Sequence, residues 1–187
     1  LKVPQEALIS SMRDHQKYFH VVDGKGALLP AFITVSNIQS RTPARVRTGN
    51  ERVLNARLAD AKFFWETDAI QPLSARTKAL ENVLFHHALG SLAGKTRRIE
   101  KLSAKIAQAV GAPAAACVRA ASLCKADLVT GMVGEFPDLQ GIMGRYLARH
   151  DGEPAAAARA IEEHYLPRYA GGALPQSPAG QVLALAD

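Results

Sequence analysis

Apolar positions along this chain change their period near Gly49, and that change divides the sequence into two kinds of element. Residues 15–38 read as strands. HQKYFHVV alternates, Asp23-Gly24-Lys25-Gly26 has the glycines that a hairpin turn needs, and Leu28 to Ile38 forms the return strand, with Pro30 near its start. From Gly49 the period is helical. Asn50 stands as an N-cap, and Val53, Leu54, Arg57, Leu58, Ala61, Phe64 and Trp65 form one broad stripe. A second helix is expected from Pro72 through Leu80, Val83, Leu84 and Leu89 to Gly90, with His86 and His87 inside it. A third carries Ile99, Leu102, Ile106 and Val110 and ends at Gly111, and Pro113 starts a fourth, alanine-rich one. In residues 125–146, Leu128, Val129, Met132, Val133 and Phe136 recur at helical spacing beside Asp127. Pro137 breaks the run, and Gly141 and Gly144 follow where backbones can approach closely.

Composition narrows the picture only where it bears on partners. The 187 residues are 48% hydrophobic and 21% charged, a balance that fits a folded chain and not a disordered one. A formal net charge of +6 favours anionic partners. No apolar run is long enough to cross a bilayer, so no membrane partner is expected. Cys117 and Cys124 stand two helical turns apart, in no metal-binding spacing, and are expected to be buried, reduced thiols. No GxxxxGK[ST] loop, GxSxG elbow or zinc-finger spacing is present, which removes the usual sequence signs of nucleotide, acyl-transfer and zinc chemistry.

The chemistry-bearing residues have two readings each. Lys95, Arg97, Arg98, Lys101 and Lys105 make the densest basic cluster, which is either a solvated helix face or a phosphate-binding one. Phe63, Phe64 and Trp65 are either core or stacking platforms, with Arg57 and Lys62 beside them as phosphate contacts or ion-paired flanks. Arg168 and Tyr169 lie in an irregular loop, where binding residues are commonly held. Asp127 is expected to pair with Lys125 or with Arg119, because a buried charge needs a partner.

Eight stretches also carry a family resemblance: HQKYF (15–19), ALLPAFITVSNI (27–38), GNERVLNARLADAKFFWETD (49–68), VLFHHALGS (83–91), KTRRI (95–99), KADLVTGMVGEFPDLQGIMGRY (125–146), IEEHYLPRYAG (161–171) and LALAD (183–187). In this order they resemble the β subunit of bacterial glycyl-tRNA synthetase of the α2β2 type. The chain opens on LKVPQEAL without an initiator methionine and stops inside an apolar helical pattern, so the resemblance implies an internal piece of a longer subunit. It also implies a mainly α fold, with residues 1–48 as the β-hairpin tail of a tRNA-editing-like α+β module and residues 49–187 as a truncated HD-like helical bundle.

Enzymatic HD domains hold a divalent metal through histidines and aspartates. By resemblance, His86 falls at the first histidine, His164 at a later one and Asp187 at the distal aspartate. The His-Asp dyad is replaced by ASLCKAD, with Lys125 and Asp127. An ammonium cannot ligate a metal and repels one, so the scaffold is read as degenerate, with no catalytic residue and no metal. His150-Asp151 reads as a loop at a helix end and not as the dyad.

The implied function is part of a glycine–tRNA ligase, cytoplasmic and an α2β2 heterotetramer. ATP and Mg would be used by the α subunit and no cofactor bound by this stretch. The α subunit and tRNA(Gly) would be the partners, with Lys17, Arg57, Lys95, Arg97, Arg98 and Arg168 as phosphate ligands. Two other classes remain open: a metal-dependent HD-type phosphohydrolase, and a structural spacer that touches no RNA.

Overall fold

The computed structural model describes residues 3–187. Helices account for 63% of it, with two small β-hairpins, so the fold is mainly α. The chain divides into two compact units, Leu1–Glu66 and Thr67–Asp187.

In the first unit, helix α1 (Gln5–Ser10) continues into a π-helical turn over Ser11–His15, so the strand pattern expected from His15 begins only at β1 (Phe19–Val22). Lys17 turns the chain between them at a φ of 57°. The hairpin partner β2 (Leu28–Ile33) is antiparallel, with Phe19 opposite Ile33 and Val22 opposite Leu28, and it ends five residues before Ile38. The expected turn is present: Asp23 Oδ1 accepts from the Lys25 and Ala27 amides, and Gly26 takes a φ of +81°. Pro30 sits in a two-stranded sheet, where each strand has an open edge and a missing donor costs little.

Helix α2 (Pro43–Asp68) starts seven residues before the expected N-cap. Asn50 is inside it, with Nδ2 donating to Val46 O and Oδ1 accepting from Tyr18 Oη at 2.7 Å. Gly49 does not stop the helix. Its cost of roughly 1 kcal/mol is spread over neighbours such as Arg45, Arg47, Glu51 and Arg52 that favour helix. The boundary expected at residues 48/49 therefore falls inside a continuous helix. Leu54 and Ala61 are buried on the stripe, but Phe63 is 63% exposed, so it is not core. It meets Phe64 edge to face at 5.7 Å.

The second unit opens on a short helical turn and not on a long helix. The helix expected over 72–90 is a single turn, α3 (Leu73–Arg76), followed by a 3-10 stretch over Thr77–Asn82 and a hairpin of β3 (Leu84–His86) and β4 (Gly90–Ser91). Val83, Leu84 and Phe85 favour extended backbone, and Gly90 closes the turn at a φ of +84°. Only Leu73 and Leu80 of the segment's apolar residues are fully buried, so no helical face is needed there.

Helix α4 (Leu92–Val110) is present as expected, but its buried face is Ala93, Thr96, Ile99, Ser103 and Ala107, while Leu102 and Val110 are exposed. Ser91 Oγ caps it by accepting from Gly94 N, and Gly111 ends it in the left-handed region. α5 (Ala114–Leu123) follows Pro113 as expected. Then come a 3-10 turn over Ala126–Val129, α6 (Gly131–Glu135), and a 3-10 turn opened by Pro137. α7 (Ile142–His150), α8 (Ala155–Glu163) and α9 (Pro178–Ala186) complete the unit. α4 packs on α5 and α9, and α8 packs on α5, α7 and α9.

The contacts are close because small residues carry them: Ala107, Ala120, Ala121, Ala157, Ala158 and Ala160 are all buried, around Ile99, Leu123, Leu147, Ile161 and Leu183. Two glycines set that approach. A Cβ on Gly144 would stand 2.6 Å from Ile161 Cγ2, and one on Gly180 would stand 2.8 Å from Glu163 Cβ. Cys117 and Cys124 are free and buried, and burial pushes the Cys124 thiol up to about 12, leaving it unreactive.

Candidate functional site

Three helix C-termini deliver the central cluster. Lys125 lies just past α5, His164 caps α8 and Asp187 caps α9. Lys125 Nζ donates to Asp187 Oδ2 at 2.7 Å and contacts His164 Nε2 at 2.9 Å. Lys95, from the first turn of α4, takes the other carboxylate oxygen, Oδ1, at 2.9 Å. The Tyr165 ring covers the Lys125 ammonium at 4.3 Å, and Phe85 lies 4.6 Å below that of Lys95. Lys125 and His164 are each 4% exposed, so protein groups and not water must solvate both.

The tautomer of His164 follows from its neighbours. Nδ1 lies 2.6 Å from Ile161 O, which can only accept, so Nδ1 carries the proton. Nε2 then has a lone pair and accepts from Lys125. Burial, then the Lys125 charge, lower the His164 pKa to about 3 and keep the ring neutral. For Asp187, burial acts to raise the pKa, but the charge and hydrogen bond of Lys125 and the hydrogen bond of Lys95 outweigh it, and the pKa is lowered.

Asp127 is fully buried but belongs to a different contact. Its Oδ2 accepts from the amides of Gly141 at 2.6 Å and Gly144 at 3.0 Å, at the start of α7, while Oδ1 has no hydrogen-bond partner. Burial pushes its pKa up to about 6 against the pull of those two amides. The glycines are needed here: Gly141 has a φ of +80°, and a Cβ there would stand 2.5 Å from the Tyr165 ring. The pairings expected for Asp127 are thus replaced. Lys125 pairs with Asp187, and Arg119 pairs through two nitrogens with Glu153, 34 residues away.

The remaining expected residues are placed as follows. His86 is in β3, exposed, with Nδ1 accepting from Ala88 N, and not in a helix. His150 stands 3.6 Å from Asp151, whose Oδ2 accepts from Leu73 N at 2.6 Å. Among the described residues no group of three or more His, Cys, Asp or Glu side chains could hold a metal ion. Lys17 donates to Asp14 O, Arg57 lies 3.9 Å from Asp60, and Arg97 lies 3.6 Å from Glu81. Arg98 donates to Leu89 O, and Arg168 to the carbonyls of Asp138 and Gln140. Arg97 and Arg98 share the exposed side of α4, whereas Lys95 spends its charge on Asp187. No local sequence signal marks Glu163. Although buried, it accepts from Ser177 N, Ser177 Oγ and Arg159 Nε, which ties α8 to the start of α9.

The model of the family described as glycyl-tRNA synthetase beta subunit matches residues 1–187. The chain belongs to that family. Over all 187 residues it is 57% identical to the glycine–tRNA ligase beta subunit of Chromohalobacter salexigens, 52% to that of Neisseria gonorrhoeae and 51% to that of Marinobacter nauticus. It spans about a quarter (27%) of the length of these relatives. The family match thus extends through both compact units.

A histidine held neutral in the fold binds no proton between about pH 6.5 and 3, whereas the unfolded chain does. His164 therefore contributes stability that is complete above about pH 6.5 and is lost progressively as pH falls toward about 3. Nitrogen-detected NMR of the histidine side chains should show His164 as the Nδ1–H tautomer with no titration from pH 7 to 4. A midpoint near the ordinary histidine value would contradict the assigned contacts.

Proposed function

We propose that this chain is part of the β subunit of glycine–tRNA ligase and supplies scaffold and part of the surface that faces tRNA(Gly). In this reading the holoenzyme joins glycine to its tRNA through an adenylate. The α subunit binds ATP and Mg and performs that chemistry in a cytoplasmic α2β2 assembly. The observation that carries the reading is the identity of 57% across the whole chain to a subunit named for that activity. Residues 1–48 are assigned to the tail of a tRNA-editing-like module and residues 49–187 to an HD-like bundle.

The residues at the HD metal positions do not fit a metal. The Lys125 ammonium lies within 2.9 Å of both His164 and Asp187, the groups that a cation would need, and it repels a second positive charge. His86, exposed on its hairpin, forms no metal-holding group with them. The bundle is therefore read as non-hydrolytic, and no step is routed through a metal. Phosphate contact is assigned to Lys17, Arg57, Lys95, Arg97, Arg98 and Arg168. Of these, Arg97 and Arg98 best combine exposure with proximity on one helix face.

Reversing Arg97 and Arg98 to glutamate in the complete synthetase should weaken tRNA binding at least tenfold at low salt and reduce the salt dependence. Unchanged affinity at low salt would remove α4 from the RNA surface. Elemental analysis of the purified subunit should find no stoichiometric Mn, Fe or Zn, and about one ion per chain would contradict the non-hydrolytic reading.

A further inference from the structure

On the second unit, a groove of about 560 Å³ runs along α7, α8 and the loop that follows. Its charged lining is Arg145, Arg149, Arg159 and Arg168 with Glu162 and Glu163. Four guanidiniums against two carboxylates leave two positive charges in excess. The carboxylates also orient the arginines. Glu162 holds Arg145 Nε at 2.9 Å, and Glu163 holds Arg159 Nε at 2.7 Å while giving its other oxygen to Ser177. Arg168 is fixed by two backbone carbonyls and lies 5.7 Å from the Tyr165 ring. Arg149 is exposed, and its side chain makes no hydrogen bond or ion pair within the described residues. It sits one helical turn from Arg145, so the two project from the same face of α7.

We propose that this groove binds the phosphodiester backbone of RNA, with Arg149 as a direct phosphate ligand and Arg145, Arg159 and Arg168 as its pre-oriented neighbours. Guanidinium forks match phosphate oxygens in pairs, and side chains already held in place lose little freedom on binding. A concave lining suits a strand laid lengthwise better than it suits the flat face of an acidic protein. The proposal rests on the RNA-facing reading above but places the contact on a different surface from α4.

The test is tRNA affinity of the complete synthetase as a function of salt, with Arg149→Ala, Arg149→Glu and Arg149→Lys compared with the Arg97/Arg98 reversal. Arg149→Ala should weaken binding roughly tenfold near 0.1 M salt and lower the salt slope by about one, with Arg149→Lys recovering most of the slope. If the Arg149 variants bind tRNA normally while the α4 reversal weakens it, the groove is overturned and the RNA-facing reading stands. If neither set changes affinity, both fall. Weaker association between subunits with unchanged tRNA affinity would mark a protein occupant and also overturn the groove. Arginine-selective dicarbonyl labelling of the unmodified synthetase gives a second measurement, independent of folding in any variant. Bound tRNA should protect Arg149, and equal labelling with and without tRNA would refute the contact.

Discussion

The Lys125 ammonium is the charge around which the second unit closes. It lies where the ends of α5, α8 and α9 meet, and each of those ends contributes one member: Lys125, His164 and Asp187. A buried ammonium is costly unless it is fully solvated by protein groups. Here a carboxylate, an imidazole nitrogen and an aromatic face replace water. Lys95 extends the same contact to α4, so four helices share one network of charges. The alanine-rich faces supply close packing but little register, and the network supplies register.

Next to it, Asp127 does for the backbone what Lys125 does for the side chains. Its carboxylate caps α7 through the Gly141 and Gly144 amides and thereby fixes the approach of α7 to α8. That approach also creates the outer arginine groove, since Arg145 and Arg149 come from one helix and Arg159, Glu162 and Glu163 from the other. The inner cluster and the outer groove are thus two consequences of the same packing. One surrounds a cation that the chain supplies itself, and the other presents cations to something outside.

Local signals were readable from the sequence wherever a single residue decides the backbone. Gly111 ending α4, Pro113 starting α5, Pro137 breaking the run and Asp23 to Gly26 turning the hairpin all follow from local chemistry. Spacing misled where propensity and burial disagreed: Leu80 to Leu89 has apolar residues at near-helical intervals, yet Val83 to Phe85 extend because nothing covers a helix there. Asn50 has a capping side chain where the helical period begins, but such a residue does not start a helix that its neighbours on both sides already favour. The cluster's membership came from family likeness, whereas its pairing did not. No sequence rule says that Arg119 reaches Glu153, or that Asp127 turns to backbone amides and leaves Lys125 to Asp187. Those choices are made by tertiary packing between residues 14 to 62 positions apart.

A double-mutant cycle on Lys125 and Asp187, followed by urea unfolding near pH 7, measures this network most directly. Lys125→Met alone should cost about 2–3 kcal/mol, less than a fully buried pair because Asp187 keeps Lys95, and the two sites should couple by at least about 1 kcal/mol. Single variants within about 0.5 kcal/mol of the parent, with effects that simply add, would contradict a fold organised around the lysine.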